Sequence, residues 1–146
     1  MLETEIEGVS IADRLAIDAV YARQSHAVDE SDGRTWAATF TADGVFESPT
    51  YRLTARGTDE LAEFARRSNE RARAEGRQFR HVVTGIRLAA DGRDRVRSRA
   101  YLTILVTDAD GSRVDRSLVL EDTIVLTEQG WRFAHRAVHR DGPPVR

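Results

Sequence analysis

His81 and Asp29 are the residues of this chain whose types and settings suit acid–base chemistry. His81 starts an alternating segment, FRHVVTG at 79–85. Strand register counted outward from the neighbouring turns sets it opposite Ile104, on a face shared with Val83, Ala100 and Leu102. Imidazole is the side chain that titrates near physiological pH, so a histidine turned to an apolar face can serve as general acid or base. A core histidine satisfied by one hydrogen bond fits the same pattern. Asp29 ends a helical stretch at the edge of its apolar stripe. It reads as the partner that orients His81, as a base in its own right, or as an ordinary acid of the AVDESDG turn. Asp32 and Asp43 read as turn and capping residues. Asp122 and Arg136 are equidistant from the EQG turn at 128–130 and face each other across two strands, as an ion pair or with Arg136 left to bind an anionic substrate group.

Composition removes several other chemistries. All 22 cationic residues are arginine, and the chain has no cysteine. Schiff-base lysines, the P-loop lysine, thiolate nucleophiles, disulfides and cysteine metal sites are therefore excluded. An arginine-only cation set suggests a GC-rich, bacterial source. His135 and His139 are four apart, which on a strand spans about 13 Å, too far for one metal ion. His26 projects away from the apolar stripe of its helix. Neither G-x-S-x-G nor G-x-G-x-x-G occurs. A net charge of −2 with both signs interleaved gives no cationic face for nucleic acid. No apolar run spans a membrane and the acidic start is unlike a signal peptide, so a cytoplasmic location is expected, with no cofactor and no metal.

The elements that must position these residues follow from periodicity. Residues 11–29 lack Gly and Pro and place Ile17, Val20, Tyr21, Gln24 and Val28 in one helical stripe. A short second helix carries Trp36 and Phe40, Val45 to Glu47 is a brief strand, and a third helix opens at Gly57 with Thr58 as its N-cap. Arg66, Arg67, Arg71 and Arg73 form that helix's solvated side. From about residue 79 the period becomes two, with strands at 79–90, 94–107, 114–127 and 131–140 in an antiparallel meander. Helices first and a sheet after is α+β architecture in a single domain over 1–146, with an ordered core at 10–140 and a loose tail at 141–146.

With simple hairpins, the face to be covered by the helices carries His81, Val83, Ala100, Leu102, Val119, Val125, Trp131 and Phe133. The other carries Arg97, Arg99, Tyr101, Leu118, Leu120, Asp122 and Arg136. A β-bulge would shift this assignment. The apolar members of the outer set suggest a homodimer. Tyr21, Gln24, Trp36, Phe40, Phe46 and Tyr51 are core by default and also suit the lining of an apolar ligand pocket.

DRLAIDAVYARQSHAVDESD at 13–32, WAATFTADGVFES at 36–48, GTDELAEF at 57–64, RHVVTGIRL at 80–88 and GWRFAHR at 130–136 together cover nearly the whole chain. In that order and spacing the sequence resembles the SnoaL-like proteins of the nuclear-transport-factor-two-like superfamily, of polyketide cyclase and dehydratase type. The resemblance implies a cone-shaped α+β barrel, N-terminal helices packed on a strongly curved, mainly antiparallel sheet. It also implies a catalytic pair, an aspartate ending the first long helix and a histidine opening the first long strand, which match Asp29 and His81. Dehydratase-like members carry a tyrosine where this chain has Gln24, and the family asparagine a few residues after the histidine is replaced, with Gly85 the matching residue.

The expected function is a cofactor-free cyclase, dehydratase or isomerase acting on a small apolar, carbonyl-bearing molecule. His81 and Asp29 would be catalytic, and Tyr21, Gln24, Trp36, Phe40, Phe46 and Tyr51 would bind substrate, with Gln24 and Tyr51 donating to the oxyanion. The alternatives are a non-catalytic ligand-binding or assembly subunit and an epoxide-opening hydrolase or cyclase.

Overall fold

The computed structural model describes residues 4–142. The expected tail therefore lies mostly outside the described residues. A two-strand ribbon, β1 (Glu5–Ile6) and β2 (Val9–Ser10), leads into helix α1 (Ile11–Asp29). Ser10 caps α1 by accepting a hydrogen bond from the Asp13 amide at 3.0 Å. The helix buries Ile17, Val20, Tyr21, Gln24, Ala27 and Val28, one stripe of side chains at helical spacing, and leaves His26 exposed. Ser31 turns the chain with φ 58°, and Asp32 caps α2 (Gly33–Ala38) through the Thr35 amide at 3.1 Å.

Phe40 opens strand β3 (Phe40–Ser48) rather than belonging to the second helix, and that strand is longer than 45–47. Pairing on both sides extends it, antiparallel with β4 (Leu53–Arg56) and parallel with the last strand. Helix α3 (Gly57–Ser68) is flanked by Arg56, and Thr58 lies inside it instead of capping it. Asn69 separates it from a short α4 (Glu70–Ala74), so Arg71 and Arg73 lie on a separate helix. The meander is present as β5 (Gln78–Ala90), β6 (Arg95–Asp108), β7 (Gly111–Thr127) and β8 (Gly130–Arg140).

Helices packed on a six-stranded sheet of order β4-β3-β8-β7-β6-β5 make an α+β fold. The sheet is not closed into a barrel, because β4 and β5 are its two edges and do not pair with each other. Every hairpin of the meander contains a register shift, between Thr84 and Arg87, Ile104 and Leu105, and Thr123 and Ile124. Each extra residue reverses which side chains face inward beyond it and bends the strand.

These bulges correct the expected faces. His81 does oppose Ile104 and Val83 opposes Leu102, since the bulge at Gly85–Ile86 compensates for a turn one residue longer than counted. On β7 the shift at Asp115 pairs Leu120 with Ala100 and Leu118 with Leu102. Leu118, Leu120, Asp122 and Arg136 are therefore buried under the helices, and Val119 and Val125 turn to the other face. Of the apolar residues that suggested a homodimer, only Tyr101 stays exposed, at 56%. The core centres on aromatic contacts: Phe46 on Phe64 at 4.5 Å, Trp36 on Phe40 at 4.8 Å, and Tyr21 edge-on to Phe133 at 5.0 Å.

Candidate active site

The last residue of α1 and the fourth residue of β5 meet. Asp29 Oδ1 lies 2.6 Å from His81 Nδ1, and the Asp29 carboxylate also accepts the His81 backbone amide at 3.1 and 3.2 Å. Gln78 Nε2 donates to the Asp29 carbonyl at 3.3 Å, tying the end of α1 to β5. The backbone amide donates to both carboxyl oxygens, and with Asp29 as a carboxylate Nδ1 is assigned as the donor between the two side chains. That tautomer leaves Nε2 as a lone-pair acceptor, and among the described residues it has no hydrogen bond.

His81 lines a cavity of about 240 Å³ between the helices and the bulged sheet. Its walls are mainly apolar, with Val28, Phe46, Leu102, Ile104, Leu118 and Leu120 among them. Asp29 is itself buried behind the imidazole. The geometry is that of a histidine held by a carboxylate and presented to an apolar chamber.

A buried polar network closes another part of the cavity wall. Arg136 donates to Asp122 twice, Nε to Oδ1 at 2.8 Å and Nη2 to Oδ2 at 3.1 Å, and also gives Nη2 to Gln24 Oε1 at 2.9 Å. Gln24 Nε2 donates to Thr39 Oγ1 at 3.0 Å, and Thr39 donates to the Trp36 carbonyl at 2.6 Å. Tyr21 donates its hydroxyl to Asp122 Oδ2 at 2.7 Å and meets the Ser98 hydroxyl at 2.7 Å. Burial, followed by the neighbouring Asp122 charge, holds the Tyr21 phenol well above its ordinary pKa. Burial works against the Arg136 cation, but Asp122 more than offsets it, so the guanidinium pKa stays raised. The guanidinium stacks over Phe133, 4.8 Å from the ring centroid. Its Nη1 makes no hydrogen bond among the described residues, and Arg136 lines the cavity.

The structure sorts the expected site residues. Asp29 and His81 come together, and Gln24, Trp36, Phe46 and Tyr51 line the cavity. Tyr21 and Phe40 do not line it: Tyr21 is committed to Asp122 and Ser98, and Phe40 packs between Trp36 and Phe133. Gln24 braces Arg136 through its oxygen and gives one Nε2 hydrogen to Thr39, which leaves the second Nε2 hydrogen without a partner among the described residues. Sequence reasoning missed Asn69, Arg116, Ser25 and Ser68 on the cavity wall and gave Arg136 only a secondary role.

His135 Nε2 lies 3.2 Å from Glu47 Oε1, and among the described residues no cluster of metal-ligating side chains occurs. Among them, no helix is long and apolar enough to cross a membrane.

A carboxylate-held histidine in an apolar chamber, on helices packed against a bulged sheet, defines a small-molecule pocket protein of α+β class. The family model of the SnoaL-like domain matches residues 9–137, and the chain belongs to that family. Its fold is shared by a protein from Catenulispora acidiphila solved in complex with S-DNPA, 32% identical with a TM-score of 0.76 over 89% of this chain and 94% of that one. Aln2 from a Streptomyces species is 28% identical with a TM-score of 0.80, over 90% and 93% of the two chains. A protein of unknown function from Mycobacterium tuberculosis is 29% identical with a TM-score of 0.78, over 90% and 73%. None of the curated proteins matches the sequence.

Proposed function

We propose that this protein is a cofactor-free acid–base enzyme, a cyclase, dehydratase or isomerase, acting on a small, largely apolar molecule activated by a carbonyl group. The observation that carries the reading is the 2.6 Å contact of His81 Nδ1 with Asp29, with His81 on the cavity wall. Nε2 takes a proton from the carbon next to the carbonyl, and the Asp29 carboxylate stabilises the imidazolium that forms. The same imidazolium returns the proton to a carbon in isomerisation, to a departing hydroxyl in loss of water, or, in ring closure, to the alkoxide oxygen left when the enolate carbon bonds to a second carbonyl of the substrate. Arg136 Nη1 is the donor for the developing enolate oxygen, with Gln24 beside it on the cavity wall, and Asp122, Gln24 and Phe133 hold the guanidinium fixed before reaction. The S-DNPA complex of the Catenulispora acidiphila relative supports a small-molecule role.

The test uses 2-tetralone, an apolar bicyclic ketone, in deuterated water with NMR detection of exchange next to the carbonyl. The protein is expected to speed exchange by roughly 10²–10⁴-fold, the usual range for a positioned acid–base group. His81→Ala should return it to the buffer rate while the folded state persists. Equal exchange by wild type and His81→Ala would remove the mechanism.

A further inference from the structure

We propose that the substrate carries a carboxylate at the end remote from its reacting carbon, and that Arg116 binds it at the edge of the cavity. This rests on the reading of the cavity as the substrate site and adds the chemical class of the ligand. His81 pairs with Ile104, and Ile104 pairs with Arg116, so the three form one row across β5, β6 and β7. All three line the cavity. At the usual strand spacing, the Arg116 and His81 backbones stand about 10 Å apart, so a ligand held by both reaches across three strands.

The bulge on β7 decides the sign of charge there. An unshifted ladder from the 108–111 turn would place Asp115 opposite Ile104, facing the chamber. The shift between Ile104 and Leu105 puts Arg116 in that place instead. The insertion thus exchanges an inward carboxylate for an inward guanidinium.

Arg116 is also the cavity cation with the more free donors, both terminal nitrogens against the single Nη1 of Arg136. Arg136 is buried, and its charge is met by two hydrogen bonds to Asp122. Arg116 gives only Nε, to Asp115 at 3.0 Å, and both terminal nitrogens are without partners among the described residues. That pair joins side chains each about one-third exposed, a setting in which an ion pair contributes little and yields to a better-placed carboxylate. The Tyr51 ring lies 5.9 Å from the guanidinium and, with Leu53 and Leu118, provides the apolar surround for the arm.

The probes are 2-naphthaleneacetate and its neutral isostere 2-naphthaleneacetamide, followed by quenching of Trp36, which lines the cavity. Wild type should bind the acid about fivefold more tightly than the amide at low ionic strength, a preference that shrinks with added salt. Arg116→Met should bind acid and amide equally with its thermal transition intact, and Arg116→Lys should keep part of the preference. Equal binding by wild type, a preference that survives in Arg116→Met, or quenching by neither compound would overturn the proposal. His81→Ala should lose tetralone exchange and keep the preference for the acid. Failure of the acid preference therefore leaves the proton-transfer reading standing, and failure of His81 dependence leaves the Arg116 assignment standing.

Discussion

Replacing Asp122 with Asn probes the buried charge network most directly. The carboxylate accepts two hydrogen bonds from Arg136 and one from Tyr21, and both members of the ion pair are buried. Asn keeps the shape and removes the charge, which leaves a guanidinium in the protein interior with no counter-ion. Breaking a buried pair in this way costs about 3–5 kcal/mol. For a chain of this length about 2–4 °C of melting temperature is lost per kcal/mol, so Asp122→Asn should melt roughly 6–20 °C lower by calorimetry. The double variant Asp122→Leu/Arg136→Met carries no charge to strand, and it should recover most or all of that loss because apolar isosteres of buried ion pairs are commonly as stable as the pair. It should nevertheless fail to accelerate tetralone exchange, having lost the enolate donor. An Asp122→Asn protein that melts with wild type, or a double variant less stable than the single, would refute the reasoning.

Asp29→Asn should lower exchange turnover by about 10²–10⁴-fold while naphthaleneacetamide affinity holds, because the amide no longer favours the Nδ1–H tautomer; unchanged turnover would show that His81 needs no orienting carboxylate. In alkaline titration followed by ultraviolet absorbance, one tyrosinate step should be missing from the folded protein and appear only on unfolding, and Tyr21→Phe should remove it. Since the Tyr21 pKa is raised, the stability linked to its burial is intact below the ordinary phenol value of 10.0 and is lost as pH climbs beyond it. Gly85→Ala should cost about 1–2 kcal/mol in urea unfolding, because Gly85 has φ 62° and an added Cβ would come 2.8 Å from the Tyr101 ring.

The helical stripe of α1 and the four long strands were legible in the sequence, because each is written in local periodicity, whereas the pairing of Asp29 with His81 was implied by the resemblance to SnoaL-like proteins and left open by the residues alone. The faces of β7 and β8 were not legible. A bulge is one residue long and leaves alternation intact on either side, so Leu118 and Arg136 carry no local mark of having been turned inward. Arg136 was placed on the outer face together with its partner Asp122, and the third member of the network, Gln24, lies more than a hundred residues away in α1. Strand β3 was understated for a related reason: it is extended by pairing with β8, which no window of residues 40–56 contains. Tyr21 and Phe40 were assigned to the pocket by type alone, and type does not distinguish a ring that walls a cavity from one packed behind that wall.

Strand β8 lies between β3 and β7 although it is the last of the six to be synthesised. Until residues 130–140 are available, the strands made earlier form two separate assemblies, β3 with β4 and β5 to β7, each with an unpaired edge toward the other. β8 joins them by pairing in parallel on one side and antiparallel on the other, and the same strand delivers Arg136 to the chamber. Joining of the two assemblies and assembly of the arginine network therefore both await β8. A chain stopped before β8 would retain both halves of the Asp29–His81 contact while leaving two adhesive edges in the cell.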